Sequence, residues 1–241
     1  MLEPLPFLAA FLGWLFQGTA GFGAGVFIVS ICSPFYDARV VIVSSAPVNL
    51  AGNLAVLRLS GFKLSPFLRY LLLGSFFGLT LGTLVLSVSS RAFAELAVGL
   101  FVLSLALREQ RGAAFSPDRG GALLSGFLGG FFAGLVGTGG PPPALFLKRV
   151  EPRPEVYRAS LAVYFLFNLS VRLLFYGLWG SWRWFDAGFA LSGSLGAVLG
   201  ALAASRLPLY RSERAVRRLV STGVLASGLY LLVRGASALL F

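Results

Sequence analysis

The sequence predicts an all-α polytopic membrane protein built from two four-segment halves, and three observations predict it. The 241 residues are 57% hydrophobic and only 12% charged, with a mean hydropathy of +0.84, which a soluble domain of this length does not sustain. Apolar runs near the ~20 residues needed to cross a hydrocarbon core recur from end to end. The first run of each half is interrupted by a glycine cluster.

In chain order the apolar runs are Leu5 to Ser33, Val40 to Leu59, Phe67 to Val88, Ala92 to Leu107, Ala122 to Leu147, Val156 to Leu178, Phe185 to Leu207 and Leu219 to Phe241. Before the first, Met1 to Pro6 carries Glu3 and no Lys or Arg, so that run is expected to be retained and not cleaved as a signal peptide. It contains the break Gln17, Gly18, Thr19, Ala20, Gly21, Phe22, Gly23, Ala24, Gly25. The second run places Asn49 and Asn53 on one helical face near its middle. The third carries Gly74, Gly78 and Gly82 at every fourth position, the small-residue pattern of close helix packing. The same packing role is expected for Gly13, Gly126, Gly130, Gly193, Gly196 and Gly200.

After the fourth run, the polar stretch Arg108 to Gly121 divides the chain into an N-terminal repeat, 1–110, a connector, 111–121, and a C-terminal repeat, 122–241. The fifth run holds the second break, Gly134 through Gly137, Thr138, Gly139 and Gly140 to Pro143. The sixth places Asn168 and Arg172 on the face matching Asn49 and Asn53. Tyr176, Trp179, Trp182, Trp184 and Phe185 then read as an interfacial aromatic belt. Beyond the seventh run, Arg211, Arg214, Arg217 and Arg218 read as an anchor on anionic lipid.

The halves superimpose in sequence. At an offset of 116, Phe11, Leu12, Gly13, Phe16, Gly18, Gly21 and Gly23 meet identical residues at Phe127, Leu128, Gly129, Phe132, Gly134, Gly137 and Gly139. At an offset of 119, Arg39, Asn49, Leu50 and Gly61 meet Arg158, Asn168, Leu169 and Gly180. Matched breaks, asparagines and bounding arginines in one order point to duplication.

Charge counting addresses orientation. If all eight segments cross, the Lys and Arg divide eleven to eight; if the fifth turns back at its break, they divide fifteen to four, leaving out Arg172. The positive-inside rule favours the second arrangement, with the fifteen bases cytoplasmic. By analogy the first segment also turns back, which gives each half one re-entrant or discontinuous helix and three crossings. An odd number of crossings makes the repeat inverted.

Several functions are excluded. Cys32 is the only cysteine and there is no histidine, so disulfides, Cys/His metal centres and Cys-His or Ser-His catalytic pairs are ruled out. No cofactor and no enzyme activity are expected. The net charge of +11 comes from bases that sit between the apolar runs, a topology signal with no nucleic-acid partner implied.

What remains points to transport. Glycine and proline clusters should unwind a helix, and irregular backbone at membrane depth is tolerated only against protein or a water-filled cavity. Half-helix N-termini suit an anion. Arg172 is an intramembrane cation with no Asp or Glu at its depth, and an anionic substrate would complete it. The alternatives are that Arg172 snorkels toward Arg183 or bonds backbone carbonyls, with the asparagines as interhelical glue. The candidate substrate-binding residues are Gln17, Thr19, Gly21, Gly23, Asn49, Asn53, Gly137, Thr138, Gly139, Gly140, Asn168 and Arg172. Ser44, Ser45 and Tyr164 are further neutral groups within reach.

At these residues the chain resembles the sulfite exporter TauE/SafE family of membrane permeases. The resemblance rests on GTAGFGAG (Gly18 to Gly25), GLVGTGGPPPALF (Gly134 to Phe146) and YRASLAVYFLFN (Tyr157 to Asn168), and it covers essentially the whole chain. The chain departs from the family pattern where prolines are delayed to Pro34 and where Ser44 and Ser45 replace a Thr-Ser pair. The resemblance implies a plasma-membrane carrier exporting sulfite or an organosulfonate, in contact with membrane lipid. A passive anion channel and a carrier of an unrelated small solute are the alternatives.

Overall fold

The computed structural model describes residues 3–20, 22–57, 63–108 and 115–206, together with residues 229, 232, 233, 236 and 237. The eighth apolar run and the Arg211 to Arg218 group lie almost entirely outside the described residues, as do Gly21 and the side chain of Thr19. Among the described residues the architecture is all helical: α1 Pro4–Ala20, α2 Ala24–Cys32, α3 Ala38–Leu57, α4 Leu68–Val88, α5 Arg91–Arg108, α6 Arg119–Val136, α7 Pro141–Val150, α8 Pro154–Leu178 and α9 Ala187–Arg206, with a 3-10 turn at Ser181–Trp184 before α9. Four helices, α4, α6, α8 and α9, are long and apolar enough to cross a membrane.

Local chemistry explains the boundaries. The helix α6 starts inside the polar connector because the Asp118 carboxylate accepts a hydrogen bond from the Gly121 N–H at 2.7 Å, satisfying a donor that the first turn leaves unpaired. It ends at Gly137, whose φ of +81° is left-handed and strains any residue with a β-carbon. Pro141, Pro142 and Pro143 do not unwind the chain as expected. They begin α7, where a proline's missing N–H leaves no partner unsatisfied. The break is therefore shorter than the sequence suggests, reaching only from Gly137 to Gly140. At the first break α1 runs to Ala20 and α2 begins at Ala24, so Gln17 and Gly18 remain helical.

Each broken segment has a hydrogen bond between its two ends. The Tyr36 hydroxyl, beyond α2, donates to the Glu3 carboxylate just before α1 at 2.6 Å. Gly13 of α1 lies against Ala24 and Phe27 of α2, and the rings of Phe16 and Phe27 pack at 5.2 Å. In the second hairpin Arg149, near the end of α7, donates to the Phe115 carbonyl just before α6 at 2.7 Å.

The ends of the bundle differ in charge. Arg39, Arg91 and Arg183 share one end with Glu3, Asp37 and Asp186; Arg91 lies 3.9 Å from Asp37, and Arg183 donates to the Ser87 carbonyl. Lys63, Arg69, Arg119, Lys148, Arg149, Arg153 and Arg158 gather at the other, where the Ser65 N–H donates to the Ser160 hydroxyl and Arg119 lies over the Tyr70 ring.

Glycine stripes weld helices that are distant in sequence. Gly74, Gly78 and Gly82 of α4 face the carbonyls of Leu123, Phe127 and Phe131 in α6, while Gly126 and Gly130 face those of Leu71 and Ser75. Gly196 and Gly200 of α9 lie on the carbonyls of Phe7 and Phe11 in α1. Lipid tails are as apolar as leucine, so such contacts hold by van der Waals packing, which demands close backbones. The larger apolar core lies among α1, α2, α3, α5 and α9, and a smaller one lies under α4, α6, α7 and α8.

Asp37, in the turn before α3, carries the pH dependence of the end at which the first hairpin is anchored. Burial alone would raise its pKa, but three bonds from Arg39, through the backbone N–H at 2.9 Å, Nε at 3.1 Å and an Nη at 2.8 Å, outweigh it and hold the value low. A depressed folded pKa stabilises the fold above the unfolded value of about 3.9 and loses that contribution as pH falls through the folded value. Thermal unfolding of detergent-solubilised protein should show this acid loss, and Asp37→Asn should flatten it.

Candidate functional site

The tips of the two hairpins meet in the middle of the bundle. A β-carbon on Gly25 of α2 would touch the Thr138 side chain, and one on Gly140 would touch Phe22. Between the tips and the midsections of α3 and α8 lies a cavity of about 50 Å³. At roughly 10–15 Å³ for each water this is room for a few waters, the scale of a small anion. Gln17, Gly23, Asn49, Asn53, Gly137, Thr138, Gly139, Gly140, Asn168 and Arg172 all line it, along with Gly25, Ala133, Tyr164, Phe165 and Leu169. Of the residues singled out from sequence, Gly21 and the Thr19 side chain fall outside the described residues. Ser44 and Ser45 turn to structural bonds, the one accepting from the Asp186 N–H at 2.8 Å and the other donating to the Ile42 carbonyl at 3.0 Å.

Arg172 is 2% exposed. It does not snorkel. Its Nη1 donates to the Gly137 carbonyl at 3.1 Å and its Nη2 to the Ile42 carbonyl at 2.9 Å, while Nε and Nη2 both reach the Tyr176 hydroxyl oxygen, at 3.0 and 2.8 Å. Four of the five guanidinium N–H groups are thus committed, all to neutral acceptors. The Gly137 carbonyl closes the C-terminus of α6, where the helix dipole is negative and favours a cation. Among the described residues no Asp or Glu lines the cavity, and the guanidinium's bonds all go to neutral acceptors.

The asparagines are oriented by their own helices. Asn49, Asn53 and Asn168 each donate through the side-chain amide to the carbonyl four residues earlier, at 3.0, 2.9 and 2.8 Å. Each bond uses one of the two N–H groups of the amide and leaves the other N–H and the amide oxygen as the remaining polar groups. That of Asn168 accepts from the Ser75 hydroxyl of α4 at 2.9 Å. The helix N-termini are less open to a ligand than the sequence implies. The Ala24 N–H at the start of α2 donates to Gln17 Oε1 at 3.0 Å, and α7 begins with three prolines that have no N–H to give.

The family model described as "Sulfite exporter TauE/SafE" matches residues 6–231 of the chain. The protein belongs to the sulfite exporter TauE/SafE family. Nothing among the curated proteins, and nothing among the solved structures, matches it.

In this TauE/SafE protein two contributors escape a reading of the sequence alone. Tyr176 sits among aromatic residues that look interfacial, yet it is fully buried and accepts two of Arg172's bonds; the signal was its position one helical turn after Arg172. Ser75 hides inside a glycine stripe that reads only as packing, and nothing in its sequence neighbourhood marks it as the partner of Asn168.

Proposed function

We propose that this TauE/SafE protein is a secondary carrier that exports a small sulfur oxyanion or organosulfonate across the plasma membrane, binding it in the cavity beside Arg172. The observation that carries the reading is a buried guanidinium, lining a cavity of small-anion size, whose charge no acidic side chain of the lining balances among the described residues. An unneutralised cation at membrane depth is costly, and a bound anion removes that cost.

The proposed architecture is an inverted repeat of two halves, 1–110 and 122–241, each opening with a re-entrant hairpin. Two features support it. The hairpins are anchored at opposite ends, through Glu3 with Tyr36 and through Phe115 with Arg149. The bound carbonyls of Phe7 and Phe11 stand 116 residues before those of Leu123 and Phe127. That is the offset of the glycine breaks. Each hairpin tip then closes the cavity from one side, and rocking of the elements around Arg172 gives alternating access. The end rich in Lys and Arg is cytoplasmic.

The test is counterflow in proteoliposomes with methanesulfonate and sulfite as substrates and glycerol as a neutral control. A carrier gives anion uptake that saturates and is accelerated by unlabelled anion on the opposite side. Flux rising linearly with concentration, without trans-acceleration, identifies a channel and sinks the carrier reading.

A further inference from the structure

The charge balance of the cavity specifies the ionic form of the substrate, and this rests on the anion-carrier reading above. We infer that the site accepts a singly charged anion and rejects a dianion, so that a substrate titrating near neutral pH is carried in its protonated form.

Arg172 supplies one positive charge, and every other lining side chain among the described residues is neutral. Element by element, α1 contributes Gln17, α3 contributes Asn49 and Asn53, the break after α6 contributes Thr138, and α8 contributes Tyr164 and Asn168 besides Arg172. Among the described residues the titratable side chains facing the guanidinium are Tyr164 and Tyr176, and an ordinary phenol is neutral well above pH 7. The charges on or beside the packed elements stand toward their ends: Asp37 and Arg39 at the start of α3, Glu155 and Arg158 at the start of α8, Asp186 before α9, and Lys148 and Arg149 at the end of α7, where Arg149 is bonded to Phe115.

A monoanion beside Arg172 makes a neutral pair. A dianion leaves one net negative charge at membrane depth with no second cation in the lining among the described residues, which costs more than an imperfect hydrogen bond. One guanidinium N–H remains uncommitted among the described residues, and each asparagine NH2 gives one of its two N–H groups to a backbone carbonyl. The amide oxygens of Asn49 and Asn53 are acceptors, which the O–H of a protonated oxyanion satisfies. Any proton crossing with substrate is therefore bonded to the substrate's own oxygen, and the protein needs no carboxylate to carry it.

The experiment is initial-rate flux in proteoliposomes from about pH 6 to about pH 9 at constant total concentration, with three probes: sulfite, which loses its second proton within this range; methanesulfonate, singly charged throughout; and sulfate, doubly charged throughout. Sulfite flux is expected to fall toward tenfold per pH unit on the alkaline side, with methanesulfonate flux flat and sulfate flux below about a tenth of it, as the monoanion fraction dictates. A sulfite rate that holds or rises with pH while methanesulfonate moves overturns the charge rule and leaves the anion carrier standing, as does sulfate moving as fast as methanesulfonate. No flux of any probe at any pH overturns the carrier reading itself, and the charge rule with it.

Discussion

Replacing Arg172 with glutamine is expected to lower methanesulfonate and sulfite flux by about a hundredfold while the helical bundle stays folded. The size follows from the interaction removed: a charge-assisted contact in a buried site contributes about 3 kcal/mol, and each ~1.4 kcal/mol is one decade. The fold survives because two effects oppose each other. Arg172→Gln loses ties from α8 to the Gly137 carbonyl, the Ile42 carbonyl and Tyr176, but it also deletes a buried cation that costs at least about 2.5 kcal/mol to hold at membrane depth. Thermal unfolding in detergent is the companion measurement. Tyr176→Phe separates charge from posture, because it keeps the cation and releases the two N–H groups that Tyr176 held. It should alter KM with a far smaller loss of maximal rate. Undiminished flux in a folded Arg172→Gln protein would remove the arginine from the site.

Gly78→Leu is expected to abolish the folded protein. A β-carbon at Gly78 overlaps the Phe127 carbonyl oxygen and crowds the Phe131 N–H, and both are backbone atoms of a packed helix that cannot swing aside. The two helices have to separate along a seam that includes Gly74, Gly82, Gly126 and Gly130. In lipid no hydrophobic gain compensates for lost contact between helices. The expected cost exceeds about 4 kcal/mol, the range reserved for overpacking and broken cores. Gly120→Ala is the control: at the exposed start of α6, its β-carbon would meet only the Asp118 carboxylate at ordinary contact distance. Size-exclusion profiles and melting curves of the two variants should diverge completely. A monodisperse Gly78→Leu protein melting with the wild type would refute the tight seam.

Much of the site was legible because a membrane makes polar residues expensive. Asn49, Asn53, Asn168 and Arg172 stand out in runs that otherwise contain little but aliphatic and aromatic side chains, and the glycine breaks mark where backbone leaves the helix. Position was legible; orientation was not. That the asparagines would bond backward to carbonyls, that Gln17 would cap α2, and that Tyr176 would turn inward all depend on rotamers and neighbours that spacing does not encode. The prolines misled for a related reason: their cost in a helix interior says nothing of a first turn, where they are well suited. For the fold, helix positions followed hydropathy closely, with α6 starting early because Asp118 caps it within the polar connector. The return of each broken segment to its starting end is an inference from charge for one hairpin and from analogy for the other, and it stays a proposal that the bonds at Glu3 and Phe115 support.

The glycine seams also redraw what counts as a moving part. Each seam joins two helices far apart in the chain, α6 with α4 and α1 with α9, at backbone contact too close to slide without lifting apart. A rigid body in this protein is thus drawn from both halves of the chain, like interleaved fingers of two hands, and neither half is a machine component by itself. Whatever motion exposes the cavity must run along the softer surfaces around Arg172, where the contacts are hydrogen bonds to carbonyls that can be exchanged one at a time.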